Sequence, residues 1–272
     1  MVLELRAYKR ITCRGVGTMV HVYTCTITYT NILSAFYEAW KNHRDGDVYF
    51  EIGEASNIRL FSTYHEFTES YLKVQAIESM IRKNLGEPTL YAFSLALLSN
   101  DPQRADSVFR VMQVARNVPN QHLIMEHLGN KDVQHVFELK RQVGREAHLL
   151  QGFIRFRELD HGVLFAEIRP KSQVLTCFAD FFQNRYPLEN WIIFDHTHNV
   201  ALVHPKSSSY FLITFAENEL DTLIRPDQTL DQYEDLWRIF FQSVSIKERE
   251  NKDLQRNLLP LRFREHMIEF HS

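Results

Sequence analysis

The chain has 272 residues, of which 44% are apolar, so it can bury one large core or two small ones. Its net charge of −3 excludes a bulk polycation, and any grip on an anion must come from a local patch. Three widely spaced cysteines (Cys13, Cys25 and Cys177) exclude a disulfide framework and a C-x-x-C zinc knuckle, which points to a reducing, cytoplasmic setting.

Residues 1–18 carry cations but no apolar stretch after them. They read as an added arm ahead of Met19, or the product of a misplaced start codon, not a secretory signal. No apolar run is long enough to span a membrane. MVHVYTCTIT then predicts one leading strand. Asn31 to His43 predicts a helix, with Ile32, Leu33, Phe36, Tyr37 and Trp40 on its apolar face and Asp45-Gly46 as its stop. Residues 63–85, 89–98, Pro102 to Arg116 and 131–150 follow as helices. Gly86 stops the first of these, Asp101 caps the third, and Asn130 caps the last.

The pattern changes at Gly152. Phe153 to Leu159 and Val163 to Ile168 read as strands around the turn Asp160-His161-Gly162. A helix through Val174, Leu175, Phe178 and Phe182 comes next. Trp191 to Phe194, Val200 to His204 and Tyr210 to Phe215 are three more strands. Thr229 with Gln232, and Ser245 with Glu248, are capping boxes that open two final helices. The expected class is α+β. A helical part over 19–151 with its leading strand is followed, over 152–272, by an antiparallel sheet of about five strands covered by helices. The two parts are expected to pack as one domain.

Two cationic stretches suit phosphate. Arg249, Lys252 and Arg256 share one face of the last helix, with Asn251 as an extra donor, and Arg262 and Arg264 follow Pro260 in an extended segment. Glu248, Glu250, Asp253 and Glu265 are interleaved with them, which is also the pattern of an ordinary solvated face. Arg141, Arg145 and His148 share a face of the 131–150 helix. Arg155 and Arg157 would share a strand face with Phe153, as in surfaces that stack unpaired bases. Glu146, His148 and Asp195 are the acid–base candidates, although Glu146 and His148 point different ways on a helix. His196 and His198 lie in a turn with no third ligand evident, so no metal and no cofactor is expected. The aromatic helix 231–241 (Tyr233, Trp237, Phe240, Phe241) would serve a core or a protein interface. No phosphate-cradling glycine motif, G-x-S-x-G elbow or H-x-E…P-C-x-x-C deaminase signature is present.

Two strings carry a family resemblance. One is E-x-H-x-x-x-G-F-x-R-F (Glu146, His148, Gly152, Phe153, Arg155, Phe156), and the other is R-x-N…P-x-R-[FY] (Arg249, Asn251, Pro260, Arg262, Phe263). With them, from about Val20 to Phe270, the chain resembles an uncharacterised bacterial family labelled "probable DNA metabolism protein". The resemblance implies a radical-SAM partner in DNA modification or repair, and kinship with domains joined to uracil-DNA-glycosylase-like domains. It departs from the family at His196 and His198, where a basic residue is common. The expectation is a DNA-metabolism accessory protein that binds single-stranded or distorted DNA beside that partner. The alternatives are an enzyme on a damaged or modified nucleotide and a protein-only scaffold.

Overall fold

The computed structural model describes residues 19–53, 59–159 and 162–215, with Leu259, residues 261–265 and Met267. The first strand, β1 (Val20–Cys25), lies at the centre of a three-stranded parallel sheet with β2 (Val48–Ile52) and β3 (Ser62–His65), in the order β2-β1-β3. The single leading strand expected for this part is therefore corrected to three. β3 has the sequence Ser-Thr-Tyr-His and no apolar alternation, because an edge strand need bury little of itself. Its residues were expected at the start of a helix. That helix, α2 (Tyr71–Leu85), begins only after Ser70, and Phe67 reaches the core from the connecting segment.

Helix α1 (Tyr29–His43) is capped by Thr28, whose hydroxyl accepts the Asn31 N–H, so it starts two residues earlier than its apolar face suggests. Gly86 ends α2 and leads into α3 (Glu87–Leu97). Its φ of +88° is open to glycine and strained for other residues. Helix α4 (Arg104–Ala115) follows. Helix α5 (Lys131–Phe153) is capped by Asn130, which accepts the N–H groups of Asp132 and Val133. α5 runs straight through Gly152, where a side chain would meet only open space, so nothing there forces a break. The strand expected over Phe153 to Leu159 is thereby shortened to β4 (Arg157–Leu159).

The second sheet takes its strands in chain order: β4, β5 (Val163–Ile168), β6 (Asn190–Asp195), β7 (Val200–His204) and β8 (Phe211–Thr214). It is mixed rather than antiparallel, because β5 and β6 run parallel, with Phe165 beside Ile192. Helix α6 (Leu175–Arg185) makes the crossover that parallel neighbours require. The α+β class holds. A short helix, α7 (Leu261–Arg264), stands where an extended segment was expected.

Two cores lie along α5. Its first half gives Val133, Val136 and Leu139 to a cluster with Phe36, Phe50 and Phe109, whose rings meet edge to face or tilted. Its second half gives Val143, Ala147 and Leu150 to a cluster with Phe178, Phe182 and Trp191, which Leu259, Phe263 and Met267 join. At 1.5 Å per residue, a helix of 23 residues spans roughly 35 Å, long enough to serve both. Among the described residues no helix is long and apolar enough to cross a membrane.

Candidate functional site

Strand β6 ends on Asp195, and the chain turns back into β7 through Asn199, whose φ is +53°. Asp195 organises this turn. Its Oδ1 accepts the N–H groups of Thr197 (2.8 Å) and His198 (3.2 Å), and its Oδ2 accepts the His198 Nδ1–H at 2.6 Å. The carboxylate is 1% exposed. An ionised carboxylate only accepts, so Nδ1 carries the imidazole proton and Nε2 is left as the basic nitrogen. A carboxylate that sets the tautomer of a histidine is a recurrent arrangement for a general base.

Both side chains line a cavity of about 650 Å³ between the second sheet and the helical part. Its sheet wall includes Val200, Leu212 and Thr214. Its helical wall presents Tyr29, Glu78 and Ser94. The Tyr29 hydroxyl donates to Glu78 Oε1 at 3.0 Å and lies 2.9 Å from Ser94 Oγ. Burial, and then the Glu78 charge, push the Tyr29 phenol well above its usual range, so it remains a neutral donor. Gln173 fastens the two walls: its N–H donates to Leu98 O (2.9 Å) and its side-chain amide to Ile27 O (3.2 Å). The result is a largely apolar space with a few polar groups in its lining, and its size is that of a small-molecule site.

The other candidates lie elsewhere. Glu146 is buried and accepts the N–H groups of Lys171 (2.9 Å) and Ser172 (3.0 Å), anchoring the loop after β5. His148 is exposed on a different face of α5, so Glu146, His148 and Asp195 do not meet. Arg141 and Arg145 are exposed on α5. The expected face of Phe153, Arg155 and Arg157 is not formed. Phe153 ends a helix and packs towards Phe263, with ring centroids 6.2 Å apart. Arg155 folds back onto the carbonyls of Gly152 and Ile154. Arg157 pairs with Glu167 at 3.2 Å and stands over the Phe165 ring. Arg264 is half-buried beside the Leu259 carbonyl. Arg249, Asn251, Lys252 and Arg256, the helix 231–241 and the side chain of Arg262 lie outside the described residues.

His196 and His198 part company: His196 Nε2–H donates to Glu167 Oε1 at 2.9 Å, while His198 turns to Asp195. Among the described residues the histidines that converge are His21, His43 and His65, none of which stood out in the sequence. A Ser107–His135–Asp101 string also exists, with Ser107 Oγ 2.8 Å from His135 Nδ1, but Ser107 is buried, so the string joins α4 to α5 instead of facing a cavity. The roles of Tyr29, Glu78 and Ser94 were not legible either, since each sits on a different helix. The Asp195/His198 spacing in a turn was the one available signal.

The fold and cavity define an α+β protein with a ligand-sized space between a helical part and a mixed sheet. The chain belongs to the family described as a domain of unknown function (DUF4130), which matches residues 102–269. That span contains Asp195 and His198, while Tyr29, Glu78 and Ser94 precede it. No curated protein and no solved structure matches the chain.

Proposed function

We propose that the protein serves DNA metabolism by accepting an unpaired nucleotide of single-stranded or distorted DNA into the cavity beside Asp195 and His198. The observation that carries this reading is the cavity itself: about 650 Å³, apolar for most of its lining, with both His198 and Tyr29 contributing to that lining. Apolar walls suit the faces of a base, and the polar groups suit its edge. The exposed Arg141 and Arg145 on α5 supply phosphate contacts, which position without reading sequence. The family resemblance adds the setting, DNA modification or repair, and a radical-SAM protein as the partner that receives the held strand.

A second reading makes the protein itself an enzyme on a damaged or modified nucleotide. The Asp195–His198 pair favours it, because a histidine held in one tautomer is suited to taking a proton.

Fluorescence anisotropy with single-stranded, duplex, and uracil- or mismatch-containing oligonucleotides, at two salt concentrations, tests the proposal. Single-stranded and mismatched DNA should bind best. Arg141→Ala/Arg145→Ala should weaken every complex and lower the salt slope by about two units. Leu212→Trp, which fills the cavity, should remove the preference for unpaired over duplex DNA. Absence of binding to all oligonucleotides at low salt would overturn the proposal. Mass analysis of the incubated oligonucleotides separates holding from turnover.

A further inference from the structure

We infer that His21, His43 and His65 form a binding site for one divalent transition-metal ion of the zinc type, within the helical part and apart from the Asp195 cavity. One ligand atom from each ring lies within 4.8 Å of the other two. The three residues come from β1, the end of α1 and β3, and the fold brings them together by register. His21 and Tyr23 are two residues apart on β1 and so share a face of the sheet. His65 pairs beside Tyr23 in the parallel ladder and projects to that same face. α1 carries its last residue, His43, to this face, where the His43 and His21 rings stack with centroids 3.6 Å apart.

The chemistry of the set fits a cation. Three half-buried imidazoles offer nitrogen ligands of the kind that zinc, copper and nickel prefer. His21 Nδ1 and His65 Nε2 are 3.0 Å apart and share one proton, and a cation takes that proton's place. A tetrahedral zinc ion holds its nitrogen ligands about 2.0–2.1 Å away and thus about 3.4 Å from one another, a spacing of the same order as the 4.8 Å within which these atoms lie. His43 closes α1, where the helix dipole presents its negative end and favours positive charge.

A surrounding shell is also present. The Tyr23 hydroxyl lies 2.8 Å from His43 Nδ1, and if it takes that N–H it leaves Nε2 for the metal. Tyr23 also stacks on His65, with centroids 4.9 Å apart. Three histidines leave a fourth position, and His65 borders a surface cleft of about 800 Å³ that also touches Asn31, Tyr64 and Glu66. Three protein ligands with one exchangeable position is the pattern of zinc sites that activate bound water, and it differs from closed structural sites.

The test uses the full, untagged chain, stripped with a chelator and titrated with Zn²⁺ against a chromophoric competitor. One ion per chain with sub-micromolar affinity is expected, and Co²⁺ should give the intense visible absorption of a four-coordinate site. His65→Ala and His43→Ala should each weaken Zn²⁺ binding by about 100-fold, and Tyr23→Phe by about 10-fold. His127→Ala, an exposed histidine elsewhere, should leave it unchanged. Sub-stoichiometric or millimolar binding by the unaltered chain overturns the proposal, whatever the variants do. So does affinity that survives in folded His43 and His65 variants.

Discussion

The Asp195 carboxylate holds His198 twice, by its backbone N–H and by its ring Nδ1–H. The side chain therefore has neither tautomeric nor orientational freedom at the cavity wall. Asp195→Asn keeps one acceptor but can place an amide N–H against Nδ1. The expected cost is about 1–3 kcal/mol, since a buried network loses a charge-assisted bond. Nitrogen-15 NMR of the imidazole should show the proton moved from Nδ1 to Nε2. An unchanged tautomer would mean that Asp195 does not control His198.

Asp106 predicts a pH dependence. Its carboxylate is buried on α4 and accepts the Phe50 N–H at 2.7 Å. Burial raises its pKa to about 6, against the partial opposition of the Phe50 N–H and of Arg110 and Arg59. A raised carboxyl pKa means that the folded state keeps the proton longer than the unfolded one. Its contribution is therefore complete below about pH 4 and lost as pH rises through about 6. Asp106→Asn keeps an acceptor for Phe50 and never ionises. It should be more stable than the parent by about 1–3 kcal/mol near pH 7.5, with the gap closing by about pH 4. Urea midpoints across that range would measure it, and a gap independent of pH would refute it.

Glu146 holds the loop after β5 by accepting two backbone N–H groups. Glu146→Gln leaves one amide group facing an N–H and should cost about 2 kcal/mol, seen as a lower urea midpoint. With its fold intact at low temperature, this variant should bind oligonucleotides as the parent does. A selective loss of binding would assign Glu146 a role beyond this anchor.

Gly86 joins α2 to α3 at φ +88°, and a Cβ there would meet His122 Nδ1 at 3.0 Å. Gly86→Ala should therefore lower stability by about 2–3 kcal/mol, through backbone strain and the close contact together. Thermal unfolding would detect the fall, and an unchanged midpoint would show that the turn adapts.

Much of the fold was legible because its signals are local. Asn130 capped α5 as read, and β5 and β7 begin and end where alternation placed them. Gly152 misled because glycine breaks a helix only where the backbone needs another conformation, and here α5 continues to Phe153. The parallel pairing of β5 with β6 was present in the strand–helix–strand order but was not drawn from it.

By itself the sequence determined the α+β class, the Asn130 cap and the Gly86 stop, and the positions of four later strands with the end of a fifth, while the cap expected at Asp101 falls instead at Gln103. These depend on residues within a turn or two of each other, where periodicity and capping act. Only the tertiary structure decided that β1 is flanked by two short parallel strands, that Tyr29 and His198 line one cavity, and that His21, His43 and His65 meet. Those groups are separated by 22 residues or more in the chain. Their meeting depends on strand register and helix packing, which arise when distant apolar surfaces are buried together, and no local pattern encodes it.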